Sequence, residues 1–306
     1  RRLCHDCIEY AVSADLDHGI CTEKINETRS FRNIRRAGDM KQAEKHIGSV
    51  LLLIIIAVSI FPFIYMVVMS FKNTLSAYDF NLNHLTVENY VKILHTAEFE
   101  RYFFNSVFVA LAGVLLAVLV SCLAGYAFAK IEFPGSDMIF FVFIMTLVVP
   151  SEVIIVPLYL IIKNLGWLNT YQALILPLPT ALGTFIMRQA ILGVPNELID
   201  AAKIEGCSNT GILWKVIMPL VRPAILTLSI FTFVGAWNNF LWPLIVSTKT
   251  EMKTLPLILS TTKTQFEPNI GLTMACAAVN FLPPFVFYIF LQGKFKEGVV
   301  LSGMKG

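Results

Sequence analysis

Charged residues are scarce. Asp, Glu, Lys and Arg make up 15% of the 306 residues and hydrophobic residues 56%, where a soluble domain carries about a quarter charged residues. With a mean hydropathy of +0.68, this shortage excludes an ordinary soluble globular domain. The longest apolar runs, Val50 to Ile60 and Val107 to Val120, lack alternating polar residues, which excludes a transmembrane β-barrel. His5, His18, His46, His84 and His95 are scattered outside the apolar stretches, without the clustered acids, bases or ligands that a membrane enzyme needs. No Gly-x4-Gly-Lys-[Ser/Thr] phosphate loop occurs, so the chain has no site to bind ATP in the usual way. A net charge of +3 is too small to imply a nucleic-acid partner. Of six cysteines, Cys122, Cys207 and Cys276 lie in or beside apolar segments, and no disulfide framework is implied.

What is present is a set of long apolar segments. A hydrocarbon core of about 30 Å takes roughly 20 apolar residues per helix, and six windows qualify: about 47–71, 105–129, 138–162, 171–191, 223–247 and 272–292. The expected fold is therefore all-α, a polytopic membrane protein with six transmembrane helices. Basic residues concentrate before the first window (Lys24 to Lys45), in the 192–222 loop (Lys203, Lys215, Arg222) and in the tail (Lys294, Lys296, Lys305). The positive-inside bias thus places both termini in the cytoplasm. The first window is too long for a signal-peptide core and lacks a cleavage site, so it is expected to act as its own insertion signal. Proline is frequent in the windows (Pro62, Pro150, Pro157, Pro177, Pro179, Pro243, Pro283, Pro284), and each removes a backbone donor that a neighbour or water must replace. Such kinks suit a bundle around a pathway.

Residues 1–39 are charged and poor in apolar runs, whereas Met40-Lys41-Gln42-Ala43-Glu44-Lys45-His46 leads directly into the first window. The expectation is a 1–39 extension outside the native protein and a membrane domain over 40–306. Cys4, Cys7, His18 and Cys21 are zinc-ligand types, but the second pair is weakly spaced, and no metal site is assigned.

The 192–222 loop carries the densest local signals. Pro195 suits a first helical turn, Glu197 and Asp200 favour the positive end of a helix, and Gly206 suits a left-handed stop. A short helix, a glycine corner and a second helical turn from Ser208 or Asn209 follow. Ala201 and Ala202 keep the middle small enough for close approach of a partner. From the residues alone, a partner-docking element and an ordinary surface hairpin both remain open.

Asp200-Ala201-Ala202, three residues, Gly206, nine residues, Val216, one residue, Met218-Pro219 resembles the EAA loop, Glu-Ala-Ala-x3-Gly-x9-Ile-x-Leu-Pro, of membrane subunits in binding-protein-dependent ABC importers. The spacing is kept, with Asp200, Val216 and Met218 as conservative departures. Ser70-Phe71-Lys72, Asn105-Ser106, Gly125 to Lys130, Phe133-Pro134-Gly135, Asn169-Thr170-Tyr171, Trp237 to Pro243 and Gln292 to Gly298 resemble the carbohydrate-uptake branch, specifically the second permease of maltose-type transporters. The resemblance covers about 45–306. It implies a permease subunit for a sugar, oligosaccharide or related polyol in a bacterial cytoplasmic membrane, working by alternating access. The implied partners are a second homologous permease, two ATP-binding cassette subunits that hold the ATP and Mg, an extracytoplasmic substrate-binding protein and membrane lipid. It also implies that Glu197, Asp200, Ala201, Ala202, Gly206 and Pro219 belong to a coupling loop docking on the ATPase, and that this chain has no cofactor and no catalytic residue.

Polar residues inside the windows are the substrate-pathway candidates. An aromatic face beside amides is the chemistry that holds a sugar, which points to Trp237, Asn238 and Asn239; interhelical hydrogen bonding is the competing role. Glu152 is an intramembrane carboxylate and so a functional candidate, with capping of a helix restarted at Pro150 as the other reading. On the outer side, Thr86 to Val91 reads as a capped short helix, either meeting a binding protein or covering the outer mouth of the bundle. An ion-coupled secondary transporter would show inverted repeats and paired intramembrane ions, and only Glu152 points that way. Glycerol phosphate or another small solute stands beside sugars as a substrate class, without an Arg or Lys cluster in the windows to favour it.

Overall fold

The computed structural model describes residues 48–76, 78, 85–95, 98–265 and 269–303. The start at Met40, the 1–39 extension and the Cys4 to Cys21 cluster lie outside the described residues. Among the described residues there are helices and no strand, only an isolated bridge between Lys72 and Leu85. The chain divides after Tyr65 into two units, and helix α1, Gly48–Ser70, begins in the first and ends in the second. Its aliphatic side chains from Val50 to Ile60 are exposed, as suits a helix solvated by lipid.

In the second unit, α2 (Glu88–Leu94) leads to α3 (Phe99–Lys130). At 1.5 Å per residue, the 32 residues of α3 extend about 48 Å. Gly113, Ala117, Ser121 and Gly125 are buried at four-residue intervals, a small-residue stripe that lets another helix approach closely. At Ser121 and Gly125 that helix is α7 (Ala181–Leu192), while Gly113 faces Leu178 just before it. A Cβ added at Gly125 would lie 2.8 Å from Met187 Cβ and 2.9 Å from the Arg188 amide nitrogen. Gly183 of α7 faces Ser121 as tightly.

Three apolar clusters follow α3 along its length. Tyr102 and Ala110 pack with Phe233, Trp237, Leu255 and Ala275. Val109 packs with Ile162, Leu174 and Trp242. Cys122 and Tyr126 pack with Met187, Ile199, Ile217 and Leu228.

Three windows are continuous helix: α1, α3 and the Ile270–Gly293 part of α14 (Ile270–Gly303). The other three are broken. The 138–162 window is α4 (Ser136–Met145), a short turn Thr146–Val148 and α5 (Ser151–Asn164), bent by 105°. The 171–191 window is α6 (Tyr171–Ile175) and α7, parted around Pro177 and Pro179. The 223–247 window is α11 (Arg222–Trp237) and α12 (Leu241–Val246), and α11 is bent by 83° from the preceding Asn209–Leu220. Among the described residues, three helices are long and apolar enough to cross a membrane, or up to five if each bent pair counts as one span. A further helix, α13 (Leu255–Gln265), lies between the 223–247 and 272–292 windows.

The connections around α2 and between α12 and α13 are tied by side-chain amides. Asn89 Nδ2 donates to the carbonyls of Ser70 (3.0 Å) and Lys72 (2.7 Å). Asn105 Nδ2 donates to those of Glu251 (2.9 Å) and Lys253 (3.0 Å) while its Oδ1 accepts from the Tyr171 hydroxyl (2.7 Å). The expected short helix near Thr86 is α2, and the Thr86 hydroxyl accepts from the Glu88 amide at 3.1 Å.

Candidate functional site

The EAA-like segment folds as a helical hairpin. Pro195 occupies the cap position of α8 (Asn196–Ile204), one residue before the first turn. Gly206 takes φ +81°, and the amides of Gly206 and Cys207 close on the carbonyls of Lys203 (2.9 Å) and Ala202 (2.9 Å). This is the 6→1 and 5→2 pair of a Schellman stop, which needs the left-handed residue that glycine supplies. Ser208 caps α9 (Asn209–Ile212), its hydroxyl accepting from the Gly211 amide at 3.2 Å. A π-turn (Leu213–Ile217) and α10 (Met218–Leu220) follow, with exposed Pro219 supplying no N–H to the turn before it.

Burial divides α8 into two faces. Ile199 and Ala202 point into the cluster with Tyr126, Met187 and Ile217. Glu197, Leu198, Asp200, Ala201 and Ile204 are exposed, Ile204 by 88%. The two alanines that sequence treats as one small patch thus have opposite tasks, Ala202 seating the helix and Ala201 facing out. Asp200 meets Lys203 at 3.4 Å, an exposed pair of little energetic consequence. Trp214, in the following turn, is also exposed.

Two cations that sequence reasoning did not single out lie at the root of the hairpin, Lys130 bonding it and Arg188 tying α7 to α3 and α4. Lys130, the last residue of α3, donates through Nζ to the Val194 carbonyl (2.7 Å) and Asn196 Oδ1 (2.6 Å). Arg188 donates to the Phe128 carbonyl (3.1 Å), lies 4.1 Å above the Phe140 ring and reaches Asp137 at 3.6 Å. Lys130, Arg188, Asn196 and Asp200 line a cleft of about 420 Å³. Their signal in the sequence is position: each cation is the polar exception near the end of an apolar helix.

The pathway candidates separate. Trp237 is buried, stacked on Phe233 (5.9 Å) with Phe103 edge-on (6.2 Å), and its indole N–H donates to the Asn280 carbonyl (3.0 Å) and Oδ1 (3.1 Å). Its ring faces are therefore engaged in packing. Asn239 accepts from the Trp242 amide at 3.3 Å, at the start of α12. Asn238 is exposed and lines a cavity of about 290 Å³ with Ser260, Asn280 and Phe281. Glu152 is far along the chain from this cavity and does not line it. It stands exposed in the first turn of α5, accepting from the Ser151 hydroxyl (3.0 Å), and no side chain caps that helix. Among the described residues, no group of three or more His, Cys, Asp or Glu side chains is placed to hold a metal.

Residues 113–301 match the family model described as "binding-protein-dependent transport system inner membrane component". The chain is 34% identical to the arabinooligosaccharides transport system permease protein AraQ of Halalkalibacterium halodurans, over 81% of this chain and 92% of the relative. It is 32% identical to the lactose transport system permease protein LacG of Rhizobium radiobacter, over 80% and 90%. In fold it resembles a chain of a bacterial ABC transporter involved in the import of the acidic polysaccharide alginate, with a TM-score of 0.71, 22% identity and coverage of 81% of this chain and 95% of that one. These relatives are permease subunits, so the chain is a transport component rather than an enzyme, and its apolar helices are those of a multi-pass membrane protein. The chain belongs to the family of binding-protein-dependent transport system inner membrane components.

Proposed function

We propose that this chain is the permease subunit of an ATP-driven importer that carries a sugar, oligosaccharide or related polyol across the bacterial cytoplasmic membrane. The observation that carries the reading is the two-faced α8: Ile199 and Ala202 seat it in the bundle while Ala201 and Ile204 are left bare beside a Schellman corner. A helix anchored on one side, with exposed Leu198, Ala201 and Ile204 set among the charges of Glu197 and Asp200 on the other, is suited to docking. The docking partner is an ATP-binding subunit, two of which hold ATP and Mg. The complex is completed by a second permease and an extracytoplasmic binding protein. Both the sugar-named relatives and the alginate transporter solved with a pentasaccharide-bound periplasmic protein support this set.

In the membrane, α1, α3, α4–α5, α6–α7, α11–α12 and α14 make six crossings with both termini cytoplasmic. Closure of the ATPase pair displaces α8, and the helices rooted beside it at Lys130 and Arg188 exchange inward-open for outward-open packing. Glu197, Asp200, Ala201, Gly206 and Pro219 serve the docking surface and its turns, and Ala202 its seat. Asn238 lies on the pathway, with Trp237 and Asn239 holding the segment in shape.

The test is crosslinking from Ala201→Cys in a background without the native cysteines, in native membranes, with adducts identified by mass spectrometry. An adduct with an ATP-binding subunit, in a yield that changes with ATP, supports the reading. Ala202→Cys, whose position is 7% exposed, should give little adduct. No adduct from position 201 in assembled membranes removes the docking role.

A further inference from the structure

Resting on the proposed sugar-importer function, we infer that Asn238, Ser260 and Asn280 form a subsite for the hydroxyl groups of a saccharide. The cavity of about 290 Å³ lies between the end of α11, α13 and α14, and among the described residues its polar lining is Asn238, Ser260 and Asn280. Its size falls near the lower end of small-ligand sites, roughly 300–1,000 Å³, enough for a ring-sized group. Asn280 is ten residues into α14, which starts at Ile270. That is about 15 Å along the axis, half the thickness of a ~30 Å hydrocarbon core. An amide at that depth needs polar partners.

The orientation of Asn280 is set by its neighbours. In a helix its carbonyl would accept from residue 284, but Pro284 has no N–H. The Trp237 indole supplies the missing donor at 3.0 Å and engages Asn280 Oδ1 at 3.1 Å. Because the indole N–H only donates, Oδ1 is committed to it and the Nδ2 protons are the group left to give. Ser260 donates its own proton to the Leu257 carbonyl at 2.7 Å, so its hydroxyl oxygen is left to accept. Asn238 offers both. Donor, acceptor and amide beside the Phe281 ring match alternating hydroxyls on a sugar face.

The complete transporter, with partner permease, ATP-binding subunits and binding protein, is reconstituted in proteoliposomes and supplied with radiolabelled arabinotriose, lactose or diacetylchitobiose. For a sugar that the unaltered complex imports, Asn238→Ala with Ser260→Ala should lower uptake at subsaturating sugar about 30-fold, the loss of two neutral hydrogen bonds, in complexes of unchanged subunit composition. Uptake within twofold overturns the subsite and leaves the importer standing. ATP-independent behaviour, or no import of any saccharide by the unaltered complex, overturns the underlying reading instead. If the double variant does not assemble, Ser260→Cys in a cysteine-free background reports on the same cavity. Slowing of its thiol labelling by the sugar supports the subsite, and an unchanged rate overturns it.

Discussion

Ile204→Ala isolates the docking surface from the fold. Ile204 is 88% exposed, whereas Ile199, on the same helix, is 4% exposed. The substitution removes three side-chain carbons at about 0.8 kcal/mol per buried methylene-sized group. If the partner covers Ile204, nearly all of that transfer energy belongs to docking, about 2 kcal/mol. At 1.4 kcal/mol per tenfold, the ATP-binding subunits should bind about 30-fold more weakly. The assay is titration of those subunits onto the permease pair in nanodiscs, read by a fluorescent label at low salt and again at high salt. The effect should persist at high salt, because it arises from apolar area and not from charge. Ile199→Ala should behave differently, lowering stability of the hairpin by roughly 2–5 kcal/mol through a cavity among Tyr126, Met187 and Ile217. Binding of the Ile204→Ala permease within twofold of the unaltered one would refute the assignment of this face.

Lys130→Met removes both bonds from α3 to the hairpin root; hydrogen exchange over 194–204 should quicken severalfold, and unchanged protection counts against Lys130 as its anchor. Gly125→Leu places a side chain against Met187 and the Arg188 backbone, an overpacking cost of about 1–3 kcal/mol or more. It should lower the thermal midpoint of the purified complex, and an unaltered midpoint would contradict the α3–α7 packing. Trp237→Phe keeps the ring near Phe233 and Phe103 but leaves the Asn280 carbonyl without a donor, at about 1–3 kcal/mol. A lower midpoint is expected; full stability with impaired uptake would return Trp237 to the pathway itself.

Sequence makes α1, α3 and α14 legible because their apolar runs are continuous and hydropathy measures how well a segment tolerates lipid. Hydropathy carries no direction, so it hides the 105° bend between α4 and α5 and the parting of α6 from α7. Pro150, Pro177 and Pro179 mark those places, but proline also stays within a helix, as Pro283 and Pro284 do in α14, and only the surrounding packing decides between kink and break. The hairpin is legible to the residue at Gly206 and Ser208, since caps depend on neighbours a few positions away. Which of Ala201 and Ala202 faces outward depends on Met187 and Ile217, remote in sequence. For Trp237 a signal was present: two adjacent prolines free the carbonyls of 279 and 280, so a donor must come from elsewhere, and a buried indole is one of the few available. Locating that donor requires knowing that α11 and α14 lie together.

The hairpin and the cavity are joined through α11, which packs in one apolar cluster at its start and in another at its end. Ile199 and Ala202 share a cluster with Ile217, Val221 and Leu228, so the face of α8 that seats the hairpin also holds the start of α11. The 16 residues of α11, about 24 Å of helix, end at Trp237, whose indole fixes Asn280 at the wall of the cavity. Contiguity alone does not make a route for coupling, which needs an element with two arrangements. The stretch from Leu213 to Val221 has the properties of one: a π-turn, a proline without a donor and an 83° change of direction within nine residues. Helical hydrogen bonds are weakest in such segments, so a displacement of α8 has less backbone bonding to overcome there than within α3 or α11. Under the proposed function, ATP-driven movement at one end of α11 reaches the sugar subsite at the other through that hinge and through the bond between Trp237 and Asn280. The donor side of the subsite is then set by the same bond that transmits the movement.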